Sequence, residues 1–187
     1  MEDPTFYKQD TYFILAEGQF KATCHTCLPY ALWRGLRQVL EFELNPHQFF
    51  ELVGAPGEAF LKILGHPLPL FEDDAPEARI VADFLKAVSE LFQCSITLVA
   101  IFGDKIQEIK PLAVADPSQA ELCIVYNHSD PGHFALGLNS ENIEGAEDQL
   151  KQLAKESMGL VFDWNEAIFF LRPELKEMVE AYEKFGK

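Results

Sequence analysis

Near residue 94 the spacing of apolar residues changes from three-and-four to two, and this change constrains the fold more than any other feature of the chain. Before it, Ile80, Val81, Phe84, Leu85, Val88, Leu91 and Phe92 form a continuous stripe behind the helix start Ala75-Pro76-Glu77. Arg79, Asp83, Lys86 and Glu90 stay outside that stripe. After it, residues 95–101 read as a strand, Gly103-Asp104 is a glycine-first turn, and residues 105–109 return as the hairpin partner. A loop over 111–119 precedes the apolar strand Leu122-Cys123-Ile124-Val125-Tyr126. A second turn, Ser129-Asp130-Pro131-Gly132, leads into a strand over 133–138. There Phe134, Leu136 and Leu138 share one face, and His133, Ala135 and Gly137 share the other. Helices before a run of strands predict an α+β protein. Its central, mainly antiparallel sheet spans about 95–138, is extended by the strand 11–15, and lies between helical lobes.

The first half of the chain turns on Thr23-Cys24-His25-Thr26-Cys27-Leu28-Pro29-Tyr30-Ala31-Leu32-Trp33. From Cys27 onward Leu28, Ala31, Leu32, Leu36, Val39 and Leu40 recur at helical spacing, so Cys27 begins a helix and Thr26 is its N-cap. Pro29 fits a first turn, whose N–H groups have no partner within the helix. A thiol there meets the positive end of the helix dipole, which favours the nucleophilic thiolate. A free cysteine is also a small hydrophobe that packs well, so this stretch alone does not decide between the two roles.

Elsewhere, Asn45-Pro46 starts a helix that carries Phe49, Phe50, Leu52 and Val53 to a stop at Gly54. Residues 59–64 add a helical turn or two, and Pro67-Leu68-Pro69 with Glu72-Asp73-Asp74 marks a solvated loop. Toward the C-terminus a helix over 147–155 is followed by apolar runs at 160–162 and 168–171, around Asp163-Trp164-Asn165-Glu166. A last helix opens at Pro173 and buries Leu175, Met178, Val179 and Tyr182. Trp33 and Trp164 read as core or interface packing, Cys94 and Cys123 as buried structural thiols, and His47 and His66 receive no role.

Composition narrows the function. With 48% hydrophobic residues in 187, the chain has enough apolar material for a full core. Its net charge of -15, from 15 Lys+Arg against 30 Asp+Glu, argues against nucleic acid and either serves solubility or favours a partner with a basic face. No apolar run reaches a membrane span, and Met1-Glu2-Asp3-Pro4 lacks the layout of a signal peptide. Four cysteines then point to reduced thiols in a cytosol-like compartment, so the expected location is cytoplasmic.

A cysteine at a helix start and a histidine on a later strand is the pair that thiol hydrolases use. Cys27-Leu28-Pro29-Tyr30-Ala31-Leu32 resembles the Cys-Leu-aromatic-x-Ala stretch of the ovarian-tumour (OTU) family of deubiquitinating cysteine proteases. The second half is similar to that family in order. The helix 80–92 is followed by the strand 95–101, by Gln107-Glu108-Ile109-Lys110-Pro111, by Ile124-Val125-Tyr126-Asn127 and by Gly132-His133-Phe134.

The resemblance covers roughly residues 11–139. It implies an OTU-like, papain-superfamily fold with a catalytic domain over 1–140 and a C-terminal α/β extension over 141–187 packed on the same domain. It further implies Cys27 as nucleophile, His133 as general base, an oxyanion loop through Cys24, His25 and Thr26, and no cofactor or metal. The implied partner is ubiquitin, polyubiquitin or a ubiquitin-like protein, acted on in the chain's own cytoplasm or in that of a host.

The chain departs from the family where an aspartate precedes the nucleophile, and where Ala135 replaces the polar residue that orients the histidine. Asn127 on the neighbouring strand is the first candidate for that role and Asp163 the second. Three rival readings stay open. Cys24 could be the nucleophile with Gln19 at the oxyanion, as in Josephin-type or papain-like enzymes. Cys24 and Cys27 could bind zinc with His25 or His128. The fold could also carry a catalytically inactive ubiquitin-binding or scaffolding module.

Overall fold

The computed structural model describes residues 6–9, 11–15, 26–65, 75–103, 105–114, 120–127, 133–139 and 146–185. In chain order these form β1 (Tyr7–Gln9), β2 (Tyr12–Leu15), α1 (Cys27–Gln38), α2 (Pro46–Val53), α3 (Ala55–Ile63) and α4 (Pro76–Phe92). Then come β3 (Cys94–Phe102), β4 (Lys105–Ala113), β5 (Ala120–Asn127), β6 (His133–Asn139), α5 (Ala146–Leu171) and α6 (Pro173–Phe185). The strands build an open sheet in the order β1-β2-β6-β5-β3-β4. Every neighbouring pair is antiparallel except β3 and β5, which run parallel. The protein is α+β, as the change of period predicts.

Local chemistry explains most element ends. The Asn45 side chain accepts the Gln48 N–H at 2.9 Å while the Gln48 side chain accepts the Asn45 N–H at 2.8 Å, a closed capping box before α2. Gly54 ends that helix at φ 77°, a conformation that a side chain disfavours. Pro76 occupies the first turn of α4, and Gln93 closes its far end in the left-handed region at φ 52°. The α4 stripe buries Val81, Phe84, Leu85, Val88 and Phe92, but Leu91 is exposed, because the stripe that meets the sheet is narrower than the run of apolar letters.

Helices α1 and α4 pack on one face of the sheet. Leu28, Leu32, Leu36, Val81, Phe84 and Val88 join Ile96, Leu98, Leu122, Ile124 and Phe134 in a single core. Helix α5 reaches that same face through Leu150 and Leu153, which meet Leu15, Leu136 and Leu138. The opposite face gathers its own apolar set, Tyr12, Ile14, Val99, Ile101, Cys123, Val125 and Ala135. The expected sheet between helical lobes is therefore corrected: among the described residues, the helices that pack on the sheet share one face. Strand alternation fixes the two faces, while which of them the helices cover is decided by long-range packing.

Three further expectations change. Residues 146–171 form one helix instead of a short helix and two apolar runs; Val161, Trp164 and Ile168 continue the buried stripe through Gly159. Strand β4 continues through Pro111 to Ala113 where a loop was expected, which an edge strand tolerates because the missing N–H can face solvent. In α6, Leu175 is buried but Met178 is exposed. The loops around Pro67, Glu72 and Ser129 lie outside the described residues. No helix among the described residues is long and apolar enough to cross a membrane.

Candidate active site

Cys27 is the first residue of α1, as the helical spacing predicts. It is half-buried and packs against the main core, whereas Cys94 and Cys123 are buried. Burial pushes the Cys94 thiol up to about 11. Burial, aided by the negative charge of Glu121, pushes the Cys123 thiol up to about 12. Those two thiols are held in their unreactive form, in keeping with a structural role.

The direction of α1 across the sheet shows which strand residues share its first turn. A Cβ added to Gly35 would come within 2.9 Å of Leu122 and 3.1 Å of Leu136, so the helix crosses β5 and β6 closely there. Beyond that crossing Val39 and Leu40 line a cavity with Ala120, Leu138 and Asn139, at the start of β5 and the end of β6. The N-terminal end of α1 therefore points toward the end of β5 and the start of β6. Cys27 lies roughly 12 Å along the helix axis from Gly35 at ~1.5 Å per residue. His133 lies roughly 10 Å along β6 from Leu136 at ~3.3 Å per residue.

The last rung of the β5–β6 ladder pairs Asn127 with His133 directly across the strands. Side chains so paired have Cβ atoms about 4.5–5.5 Å apart, within reach of an amide-to-imidazole contact. The rung before it, Tyr126 with Phe134, brings its rings to 4.6 Å at a tilt of 37° on the α1 side of the sheet. By alternation the Asn127–His133 rung takes the other side, that of Ala135 and Val125. Cys27 thus belongs to the face of the sheet that carries Tyr126 and Phe134, and the Asn127–His133 pair to the opposite face. Ala135 is packed in the second apolar set and adds no polar group beside the histidine.

Asp163, the second candidate for the orienting role, is exposed on α5. It lines a groove with Trp33, Arg37, His47, Glu166 and Phe170. His133 does not line that groove. Gln19, Cys24, His25 and His128 lie outside the described residues. Among the described residues no three His, Cys, Asp or Glu side chains gather as a metal site would require.

Thr26 takes the N-cap position but makes no capping bond with its side chain. Its Oγ1 instead accepts the Trp164 Nε1–H at 3.0 Å, and both residues are fully buried. Trp164 was read only as packing; the partner it holds was not foreseen, and nothing local to either residue announces it. Neighbouring contacts bind α5 to the same place. Tyr30 donates its O–H to the Ser157 carbonyl at 3.4 Å, and the Trp164 ring lies 5.8 Å from Tyr30 and 5.7 Å from Trp33.

No family model matches the chain, no curated protein matches it, and no solved structure matches it.

Proposed function

We propose that the protein is a cysteine-dependent deubiquitinase of the OTU-like type, hydrolysing the isopeptide bond that follows the ubiquitin C-terminus. The observation that supports the reading is the cross-strand pairing of Asn127 with His133 on the last β5–β6 rung, in a chain whose Cys27 opens α1. In this mechanism the Cys27 thiolate, formed as the imidazole of His133 takes its proton, attacks the carbonyl carbon of the terminal ubiquitin glycine. Backbone N–H groups from His25 to Cys27 receive the oxyanion. His133 then protonates the lysine amine as the C–N bond breaks, leaving a thioester on Cys27. Water, deprotonated by His133, hydrolyses the thioester and frees the carboxylate and the thiol. Asn127 orients the imidazole from the neighbouring strand. The chain's charge of -15 suits a partner with a basic face in a reducing, cytoplasm-like setting.

A second reading draws on one observation: by alternation His133 starts on the sheet face away from α1, beside the packed Ala135. In that reading the chain binds ubiquitin without cleaving it. Ubiquitin carrying a thiol-trapping electrophile at its C-terminus tests both. A covalent adduct mapped to Cys27 is the expected outcome. An adduct at Cys24 moves the nucleophile, and reversible binding without an adduct establishes the inactive module.

A further inference from the structure

Helices α1, α2 and α5 leave a groove of about 320 Å³ between them, lined by Trp33 and Arg37 on α1, His47 on α2, and Asp163, Glu166 and Phe170 on α5. On the α1 side the charge is already engaged: Arg37 donates to the Leu44 carbonyl at 2.9 Å, and its guanidinium lies 5.7 Å from the centre of the Trp33 ring. The α5 side differs. Asp163 and Glu166 stand one turn apart, a spacing at which like charges oppose each other, and no lysine or arginine lies one turn before or after either of them on the helix. Neither carboxylate hydrogen-bonds or ion-pairs with a described residue, Arg37 included. Beside them Phe170 is 75% exposed, the most of any large apolar side chain among the described residues, while His47 holds its ring edge-on at 5.2 Å.

We propose that this groove is a docking site for a partner protein, which inserts an arginine side chain flanked by an apolar residue. Charge selects the cation: the groove's two carboxylates outnumber its one guanidinium, and the chain's charge of -15 draws a basic segment in from a distance. Shape selects arginine. A planar guanidinium gives paired N–H bonds to the carboxylates while its face rests on the Phe170 ring, as Arg37 already rests over Trp33. The partner's apolar neighbour covers the rest of that ring. Cys27 and His133 line no part of this groove, so docking there does not depend on the deubiquitinase reading.

The probe is the peptide acetyl-Leu-Arg-Leu-amide, titrated into the isotope-labelled full chain and followed by amide NMR shifts. Half-saturation is expected at roughly 1–10 mM, with the shifts centred on α5 and the start of α2. The same peptide with citrulline for arginine keeps the shape and loses the charge, and should bind at least about tenfold more weakly. The lysine peptide should bind roughly threefold more weakly, since an ammonium cannot lie flat on the ring. Glu166→Gln with Asp163→Asn should weaken the arginine peptide at least about fivefold, and Phe170→Ala about two- to fivefold. Glu90→Gln, at an exposed position on α4, should leave its binding unchanged.

No shift at about 20 mM, or equal binding of the citrulline or the lysine peptide, overturns the proposal. So does a weakening in Glu90→Gln that matches the one in the double variant, which would reduce the effect to the general acidity of the surface. Circular dichroism checks that each variant folds; if the double variant does not, Glu166→Gln alone carries the test, with a loss of at least about twofold expected and unchanged binding overturning the proposal. Labelling by the ubiquitin electrophile is read separately. Its failure would remove the deubiquitinase reading and leave the peptide result standing.

Discussion

Helices α1 and α2 begin in opposite ways. At α2 the start is finished by residues within one turn: Asn45 and Gln48 satisfy each other's backbone N–H groups. At α1 the N-cap side chain is turned away from the helix to a tryptophan 138 positions later. A helix start closed by its own sequence is a local structural device. The other depends on a distant part of the chain, and its first helical residue is Cys27.

The largest effects should fall on the α1 side of this comparison. Cys27→Ala is expected to abolish cleavage of ubiquitin dimers while Cys24→Ala keeps a substantial rate; the reverse would detach the nucleophile from the helix start. His133→Ala should lower turnover by about 10²–10⁴-fold with an unchanged melting temperature. A large drop in melting temperature with near-normal turnover would make His133 structural. Asn127→Ala should cost about ten- to a thousand-fold, about 1.4–4 kcal/mol of transition-state stabilisation. A loss under about threefold would instead leave a Cys–His dyad.

Smaller effects separate the Cys27 thiol from those that no helix start reaches. Cys94 and Cys123 have folded values of about 11 and about 12 against an ordinary 9.0. Their neutral thiols therefore contribute stability that is complete below the unfolded value and is lost as pH rises through the folded one. The melting temperature should fall above about pH 9, and fall less steeply in Cys123→Ala. Equal slopes in the two proteins would show that Cys123 ionises freely. Smallest of all, Asn45→Ala should remove about 1 kcal/mol of stability, read by urea denaturation, and leave Cys27 alkylation unchanged. A change in Cys27 reactivity there would mean that the two helix starts are coupled.

The start of α1 at Cys27, the helix start at Asn45-Pro46 and the proline start of α4 were legible because each is written in a few adjacent residues. So were the two faces of β6, since alternation needs no distant partner. The length of α5 was not legible: Gly159 and the polar residues around Trp164 look like breaks, and only burial of Val161, Trp164 and Ile168 in the common core carries the helix through. Strand β4 outran its expected end because Pro111 reads as a stop unless the strand is known to be an edge. At the candidate site the neighbourhood of Asn127 and His133 followed from consecutive strands, and the structure makes them direct partners. The Trp164–Thr26 bond had no signal at all, since neither residue type nor spacing selects one partner across such a separation.

The edge position of β4 bears on how the chain behaves when crowded. An outer strand offers unpaired backbone groups on which a strand from another molecule can grow, and sheets that extend in this way end as insoluble fibres. At Pro111 one backbone donor is missing, and the exposed charges of Lys105 and Glu108 would have to be carried into any such joint. With a net charge of -15 keeping copies apart at long range, this edge opposes growth at short range.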